Sequence, residues 1–165
     1  MSVATMHPRL YPPIGSLLPH AGAMVLLDRV VCADEEKLCA EVAIGAASLF
    51  YDGAGVGAWV GIEYMAQAIA AHAGYLAQRR GEAVKIGLLL GARRYEAQAP
   101  LFAAGAVLRV HAQRALQGDN GLGAYECRIE EAGAVVATAT VTVFQPENVN
   151  DFLHGIHMGT QYEPS

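Results

Sequence analysis

Charged residues are scarce in this sequence. Only 16% of its 165 residues are Asp, Glu, Lys or Arg, whereas 53% are apolar, and the net charge is −5. A nucleic-acid-binding domain normally carries a basic surface, so this balance argues against that class. The composition is typical of one globular domain, and the shortage of charge favours an oligomer that buries further surface. We expect a single domain over residues 1–165, with peripheral tails at 1–13 and 145–165.

Cysteine is also sparse. Cys32, Cys39 and Cys127 are an odd number and lack the spacing of a metal site, which argues against a disulfide framework and against bound zinc. The first residues lack the basic, apolar and small segments of a signal peptide. We therefore expect a protein of the reducing cytoplasm, with no metal and no other cofactor.

The most unusual segment that is present is a long apolar helix over residues 59–76 with one carboxylate, Glu63, inside it. None of its faces is charged, which predicts a helix buried in a core or in a membrane. Gln67, His72 and the sheet-forming segments that follow argue against a membrane span. Because an ionised carboxylate is costly in such a helix unless it is paired or protonated, Glu63 is the first candidate for chemistry.

Strand patterns lie on both sides of this helix. Period-two alternation and turn residues predict strands over 24–31, 38–44, 84–96, 106–116, 123–131 and 135–144. A short helical turn is expected at 14–18 and a glycine-rich loop at 48–57. The order predicts an α+β fold in which a curled antiparallel sheet of five to six strands wraps around one long central helix.

Three motifs in this order resemble the hotdog-fold β-hydroxyacyl-ACP dehydratases of fatty-acid synthesis. They are LPH at 18–20 followed by MVLLDRV at 24–30, GIEYMAQA at 61–68, and Pro100 with Gly105. The segment VGIEYMAQ and a shortened loop before the helix are most similar to a divergent branch of these dehydratases, which is found in aryl-polyene-type polyketide clusters. The resemblance implies the hotdog fold, a catalytic Glu63 and a substrate tunnel at a dimer interface.

One departure from the family pattern concerns the catalytic base. The ordinary dehydratases carry a histidine about fourteen residues before the helix glutamate, which corresponds to a place near Leu49. No histidine lies between Glu41 and Glu63 in this chain. Either another residue replaces it, or the chain does not act alone.

Removal of water from a 3-hydroxyacyl thioester needs a base at C2, an acid at C3 and a stabiliser of the enolate-like oxygen at C1. Glu63 is the candidate acid or base, and we expect burial to raise its pKa. The free N–H groups at the start of the helix would face the C1 oxygen, with Gly55 and Gly57 permitting close approach. Gln67 is expected to form a hydrogen bond near the carboxylate or across the interface.

His20 is the best replacement for the missing histidine. In the related enzymes its segment borders the acyl tunnel, and an imidazole titrates near working pH. The alternative is that His20 caps backbone groups in the turn after Pro19. Asp52 is a second replacement, through its charge, although aspartate is common in turns. His72 lies opposite Glu63 on the helical wheel and is expected to be a core histidine.

Five basic residues form a candidate docking patch for an acyl carrier protein and its phosphopantetheine, which are both acidic. They are Arg79, Arg80, Lys85, Arg93 and Arg94. The alternative is that they are a solvated helix end and strand edge. Glu63 also has an alternative, non-catalytic role, in which it is a structural carboxylate at an interface and pairs with an arginine such as Arg93.

The leading hypothesis is therefore dehydration of a 3-hydroxyacyl thioester, carried by an acyl carrier protein, to the trans-2-enoyl thioester. The second is a non-catalytic or half-active subunit that pairs with a histidine-bearing paralogue. The third is an acyl thioesterase. The active assembly is expected to be a homodimer or such a heterodimer.

Overall fold

The computed structural model describes residues 11–19, 22–83 and 88–145, with the backbone alone for residues 88–90. Its two α-helices are α1 (Ile14–Leu17) and α2 (Gly61–Arg79), and 3-10 turns lie at Gly22–Met24 and Ala58–Val60. The strands are β1 (Arg29–Ala33), β2 (Lys37–Ala43), β3 (Gly55–Gly57), β4 (Leu88–Ala97), β5 (Leu101–Ala103), β6 (Val107–Gln117), β7 (Leu122–Glu131) and β8 (Ala134–Phe144).

Six of these strands form one antiparallel sheet in the order β1-β2-β6-β7-β8-β4, and β3 pairs with β5 in a small second sheet. Helix α2 packs against β6, β2, β7, β4 and β8. The expected architecture, a curled antiparallel sheet around one long helix, is confirmed. No helix among the described residues is long and apolar enough to cross a membrane.

Alternation along the strands explains why the sheet faces α2 with its apolar side. On β6, Leu108, Val110 and Ala112 are fully buried while their neighbours are more exposed. The last strand behaves in the same way, because Ala137, Ala139 and Val141 are buried while the threonines that alternate with them are more exposed. Side chains at i and i+2 share a face of a sheet, so the sequence pattern alone determines which side is covered.

The sequence prediction fails at the first strand. A strand over 24–31 was expected, but β1 begins only at Arg29. The reason is that the backbone groups of Met24 and Leu26 bond to the side chain of Gln67 instead of to a neighbouring strand. The three-residue strands β3 and β5 are too short to give a periodic pattern. Residues 84–87 of the strand expected over 84–96 lie outside the described residues.

Helix α1 packs on α2 at a glycine. A Cβ atom at Gly74 would overlap the carbonyl oxygen of Leu17. Leu17 is itself completely buried. The absence of a side chain at Gly74 therefore allows the backbone of α1 to contact the central helix directly.

We predict that Gly74→Ala lowers the free energy of unfolding by about 1–3 kcal/mol, because the new methyl group must displace backbone. Urea denaturation checks this. Gly15→Ala is the matched control, since a Cβ there meets nothing within 4 Å. Equal stability of the Gly74 variant and the parent would contradict the proposed close packing.

Candidate active site

Glu63 is the third residue of α2 and lies in the wall of a groove of about 320 Å³. Ala66, Ala70, Ala73 and Ala77 continue the same wall along the helix. Their spacing of three or four residues places them on one side of α2, and their short side chains leave the groove open. A carboxylate in the first turn of a helix is also stabilised by the helix dipole.

The expectation that α2 is enclosed on every face is wrong on this side. Glu63, Ala66, Ala70 and Ala73 are half-buried, whereas Met65, Ala68 and His72, on the opposite side, are fully buried. The alanines do not reach far enough to fill the space beside the helix. The carboxylate of Glu63 is consequently accessible from the groove.

Gln67 holds this carboxylate and the N-terminal segment together. Its Nε2 donates to Oε1 of Glu63 (3.1 Å) and to the carbonyl oxygen of Met24 (2.7 Å). Its Oε1 accepts from the backbone N–H of Leu26 (2.9 Å). The side chain is completely buried, so these contacts fix its orientation. Gln67 therefore positions Glu63, as expected from the sequence, although its role in the reaction stays a prediction.

We predict that Gln67→Leu lowers the free energy of unfolding by about 1–3 kcal/mol, because the N–H of Leu26 and the carbonyl of Met24 lose their partner. Urea denaturation and amide hydrogen exchange at Leu26 measure the effect. The control is Gln78→Leu, whose amide donates to the Ser16 carbonyl at an exposed position and should contribute less. Unchanged exchange at Leu26 would contradict the assignment.

At the start of α2, the 3-10 turn Ala58–Val60 is tied to the edge strand β4. The hydroxyl of Tyr95 donates to the carbonyl oxygen of Ala58. Gly61 provides the room for this contact, since a Cβ atom there would overlap the Tyr95 hydroxyl. The hydrogen bond thus holds the turn in place at the start of the helix. The first N–H groups of a helix lack intrahelical acceptors.

The two glycines proposed for the oxyanion region have structural explanations. A Cβ at Gly55 would overlap the carbonyl of Phe102 on the paired strand, and one at Gly57 would overlap the indole of Trp59. Close approach of neighbouring protein atoms therefore accounts for both residues. A role in binding the C1 oxygen stays a prediction.

The chain as a whole is similar to known proteins. The family model for ApeP-like proteins, described as ApeP dehydratase, matches residues 12–154. The chain belongs to this dehydratase family. The resemblance read from the motifs is therefore confirmed, while a search of curated proteins found no match.

Solved structures show the same architecture as this ApeP-like chain. A chain of the dehydratase heterocomplex ApeI:P from Xenorhabdus doucetiae is 31% identical with a TM-score of 0.82, covering 89% of this chain and 99% of its own. AziG from S. sahachiroi is 16% identical with a TM-score of 0.57, covering 72% and 90%. A hypothetical thioesterase with coenzyme A from Streptococcus pneumoniae is 17% identical with a TM-score of 0.56, covering 71% and 84%. The fold is the hotdog fold.

Asp52 is a proposed replacement for the family's usual histidine, but its carboxylate forms hydrogen bonds within its own turn. Its Oδ1 accepts from the N–H groups of Ala54 (2.9 Å) and Gly55 (3.0 Å). These bonds hold the pKa of the carboxyl below its ordinary value. The geometry gives Asp52 a structural role in the loop, and its role as a replacement for the histidine stays a prediction.

His20, the other replacement, lies outside the described residues. Its neighbour Pro19 is described and lines the same groove as Glu63. On the other side, the segment resumes at Gly22 and is attached to Gln67 through Met24. The role of His20 stays a prediction.

His72 is a core histidine in this ApeP-like chain, as expected. Its Nε2 donates to the carbonyl oxygen of Asp34 (2.9 Å), which leaves Nδ1 to accept from the hydroxyl of Tyr125 (3.0 Å). Burial lowers the pKa of the imidazole. His72 is therefore a neutral, fully bonded group that joins α2 to the sheet.

This environment predicts a pH dependence. The unfolded chain takes up a proton at His72 as the pH falls through about 6.5, whereas the folded chain resists it. The free energy of unfolding should fall below about pH 6.5, by at most about 1.4 kcal/mol per pH unit from this group. Urea denaturation between pH 7.5 and 5.5 measures the slope, which His72→Gln should reduce.

His111→Gln is the comparison for this slope, because burial also lowers the pKa of His111. Removing His111 should leave the contribution of His72 in place. A His72→Gln protein with the same slope as the parent would show that His72 is not the group responsible.

The structure does not bring the proposed basic patch together. Arg79 and Arg80 lie at the C-terminal end of α2, while Arg93 lies two residues from Tyr95, which contacts the N-terminal end. The helix is about 27 Å long at 1.5 Å per residue. Arg79 also lies over the ring of Tyr75, 5.6 Å from its centroid. Lys85 is outside the described residues, and docking of a carrier protein stays a prediction.

Sequence reasoning missed two groove residues on the sheet, Arg114 of β6 and Tyr125 of β7, which face each other across the strand pair. A signal for Arg114 was present. It continues the inward-facing series Leu108, Val110 and Ala112 with a charged residue, and such a residue at the end of an apolar series indicates a site.

In the described ranges, no group of three or more His, Cys, Asp or Glu side chains is arranged to hold a metal.

Proposed function

We propose that this chain is a subunit of a 3-hydroxyacyl thioester dehydratase, with Glu63 as one of its two acid–base groups. The observation that carries the proposal is the carboxylate of Glu63, held by Gln67 and exposed to a groove whose walls are mostly apolar. Membership of the ApeP-like dehydratase family supports the reaction type.

The reaction fits the order of groups along α2. The C1 oxygen would lie at the N-terminal turn, where N–H groups and the helix dipole stabilise negative charge. C2 and C3 would then lie beside Glu63, and the remaining acyl chain would run along the alanine wall. The C2 proton passes to the base, the C3–O bond breaks, and the leaving hydroxyl takes a proton from the acid and departs as water.

The second acid–base group comes either from His20 of this chain or from a partner subunit. The neighbouring Pro19 at the groove wall supports His20. Three observations favour a paralogous partner. The loop before the helix has no histidine, the Xenorhabdus relative is a heterocomplex, and the aromatic pair Phe50 and Trp59 is 52% and 65% exposed near the helix N-terminus.

Exposed apolar side chains in contact with one another are typical of interaction surfaces. The rings of Phe50 and Trp59 lie 5.1 Å apart between centroids, and Leu49 beside them is also exposed. Phe50 adopts a positive φ of 68°, an uncommon conformation outside glycine. We propose that this surface contacts the partner subunit, and that the acyl group arrives on an acyl carrier protein.

We predict that Glu63→Gln lowers dehydration by at least about a hundredfold, since general acid–base groups typically contribute that much or more. The assay follows conversion of a 3-hydroxyacyl carrier-protein thioester to the enoyl product, for this chain alone and mixed with a histidine-bearing paralogue. Glu36→Gln is the control, an exposed carboxylate in the β1–β2 turn.

The same assay separates the alternatives. Activity of the isolated chain that is lost in His20→Ala supports an autonomous enzyme. Activity only with the paralogue supports a shared site. Release of free thiol without enoyl product would identify a thioesterase and contradict the proposal, as would full activity of Glu63→Gln.

A further inference from the structure

Two of the three cysteines lie directly opposite each other on neighbouring strands. Cys32 of β1 pairs with Cys39 of β2 in the antiparallel register, and both are free thiols. Residues opposite each other in such a pair have Cα atoms about 4.5–5.5 Å apart, which lies within the range that a disulfide spans. The strand register therefore brings together two thiols whose spacing in the sequence does not suggest a pair.

A β-bulge in β1 brings Cys32 to this position. The register shifts between Val30, which pairs with Ala40, and Cys32, which pairs with Cys39. Val30 and Ala40 both belong to the hydrophobic core. Regular alternation would place Cys32 on the core side together with Val30, whereas Cys39 lies on the outer side of the sheet. The extra residue, Val31, turns Cys32 to the outer side, where it faces Cys39.

The two cysteines differ in accessibility. The side chain of Cys32 is half-buried, whereas Cys39 is only 2% exposed. Burial, and to a smaller extent the neighbouring Cys32 thiol, raises the pKa of the Cys39 thiol to about 11. A reagent in solution consequently reaches Cys32 first, and Cys39 can react only with a sulfur that is already next to it.

Two basic side chains of β6 lie beside the Cys39 sulfur. The guanidinium of Arg109 favours its ionised form, and Nε2 of His111 lies 3.8 Å from Sγ. Nδ1 of His111 accepts from Arg128 (3.3 Å), so Nε2 carries the hydrogen and faces both the Cys39 sulfur and the carboxylate of Glu130 (3.2 Å). A Cys39 thiolate that forms during a reaction would thus be stabilised by neighbouring donors.

We propose that Cys32 and Cys39 are a modification site, at which a low-molecular-weight disulfide such as oxidised glutathione converts the two thiols into an intramolecular disulfide. The Cys32 thiolate attacks one sulfur of the small disulfide, which forms a mixed disulfide and expels one small thiolate. Cys39 then loses its proton and attacks the Cys32 sulfur, which expels the second. The expelled thiolates take up the two protons that the cysteines lose. Two protein thiols are oxidised, and one small disulfide is reduced to two thiols.

The geometry also makes this disulfide reversible. Cβ atoms opposite each other in a sheet lie about 4.5–5.5 Å apart, whereas a disulfide prefers about 3.5–4.5 Å. The two strands must therefore approach each other when the bond forms, and strain makes a disulfide easier to reduce. Reversible disulfides of this kind are typical of redox-sensing sites in a reducing compartment.

The test incubates the full chain with oxidised glutathione and measures its intact mass, followed by peptide mapping. We expect the parent to lose two hydrogen atoms, to retain no glutathione, and to yield one linked peptide pair containing Cys32 and Cys39. Cys39→Ser should retain one glutathione on Cys32, because no neighbouring thiol can displace it. Cys127→Ser is the matched control and should form the disulfide like the parent, since Cys127 is buried in the core from β7.

Cys32→Ser is the second variant and should take up no glutathione, because Cys39 and Cys127 are both buried. The melting temperature of each variant identifies loss of fold. Three free thiols in the treated parent would overturn the proposal, as would a lasting glutathione adduct on Cys32 or a linkage to Cys127. Excess reduced glutathione should restore both thiols, and a disulfide that resists it would contradict the reversible site.

Discussion

The set of hydrogen bonds made by Gln67 determines the geometry of the site. One buried amide bonds to three groups. They are the carboxylate of Glu63, one turn earlier on the same helix, the carbonyl oxygen of Met24 and the backbone N–H of Leu26. A buried amide is stable only when its donors and acceptor are satisfied. The segment that follows the Leu-Pro-His motif is for this reason held against the helix that carries the catalytic candidate.

The groove follows from a second constraint, the small size of the residues on one side of α2. Four alanines stand where a fully packed core helix would carry larger side chains. On the opposite side Met65 and His72 are completely buried against the sheet. The same helix therefore stabilises the fold with one side and lines an open groove with the other, and this division also explains why Glu63 is accessible from the groove.

The fold and the family could be predicted from the sequence because their signals are local. The long apolar helix, the alternation on β6 to β8 and the E-x-M-A-Q motif each lie within a short stretch of residues. Their order in the chain implies the sheet that surrounds the helix. The neutral core role of His72 also follows from its place on the helical wheel, opposite Glu63.

The remaining features depend on which distant residues meet. The first strand begins later than its pattern indicates because Gln67, forty-one residues from Leu26, takes the hydrogen bonds that a strand would use. The basic residues near 79 and 93 are close in sequence but lie toward opposite ends of a helix about 27 Å long. By itself the sequence determined the fold and the family, and it singled out Glu63 as the candidate carboxylate. Only the tertiary structure decided what surrounds that carboxylate, because the groove between α2 and the sheet is lined by residues that lie far apart in the sequence.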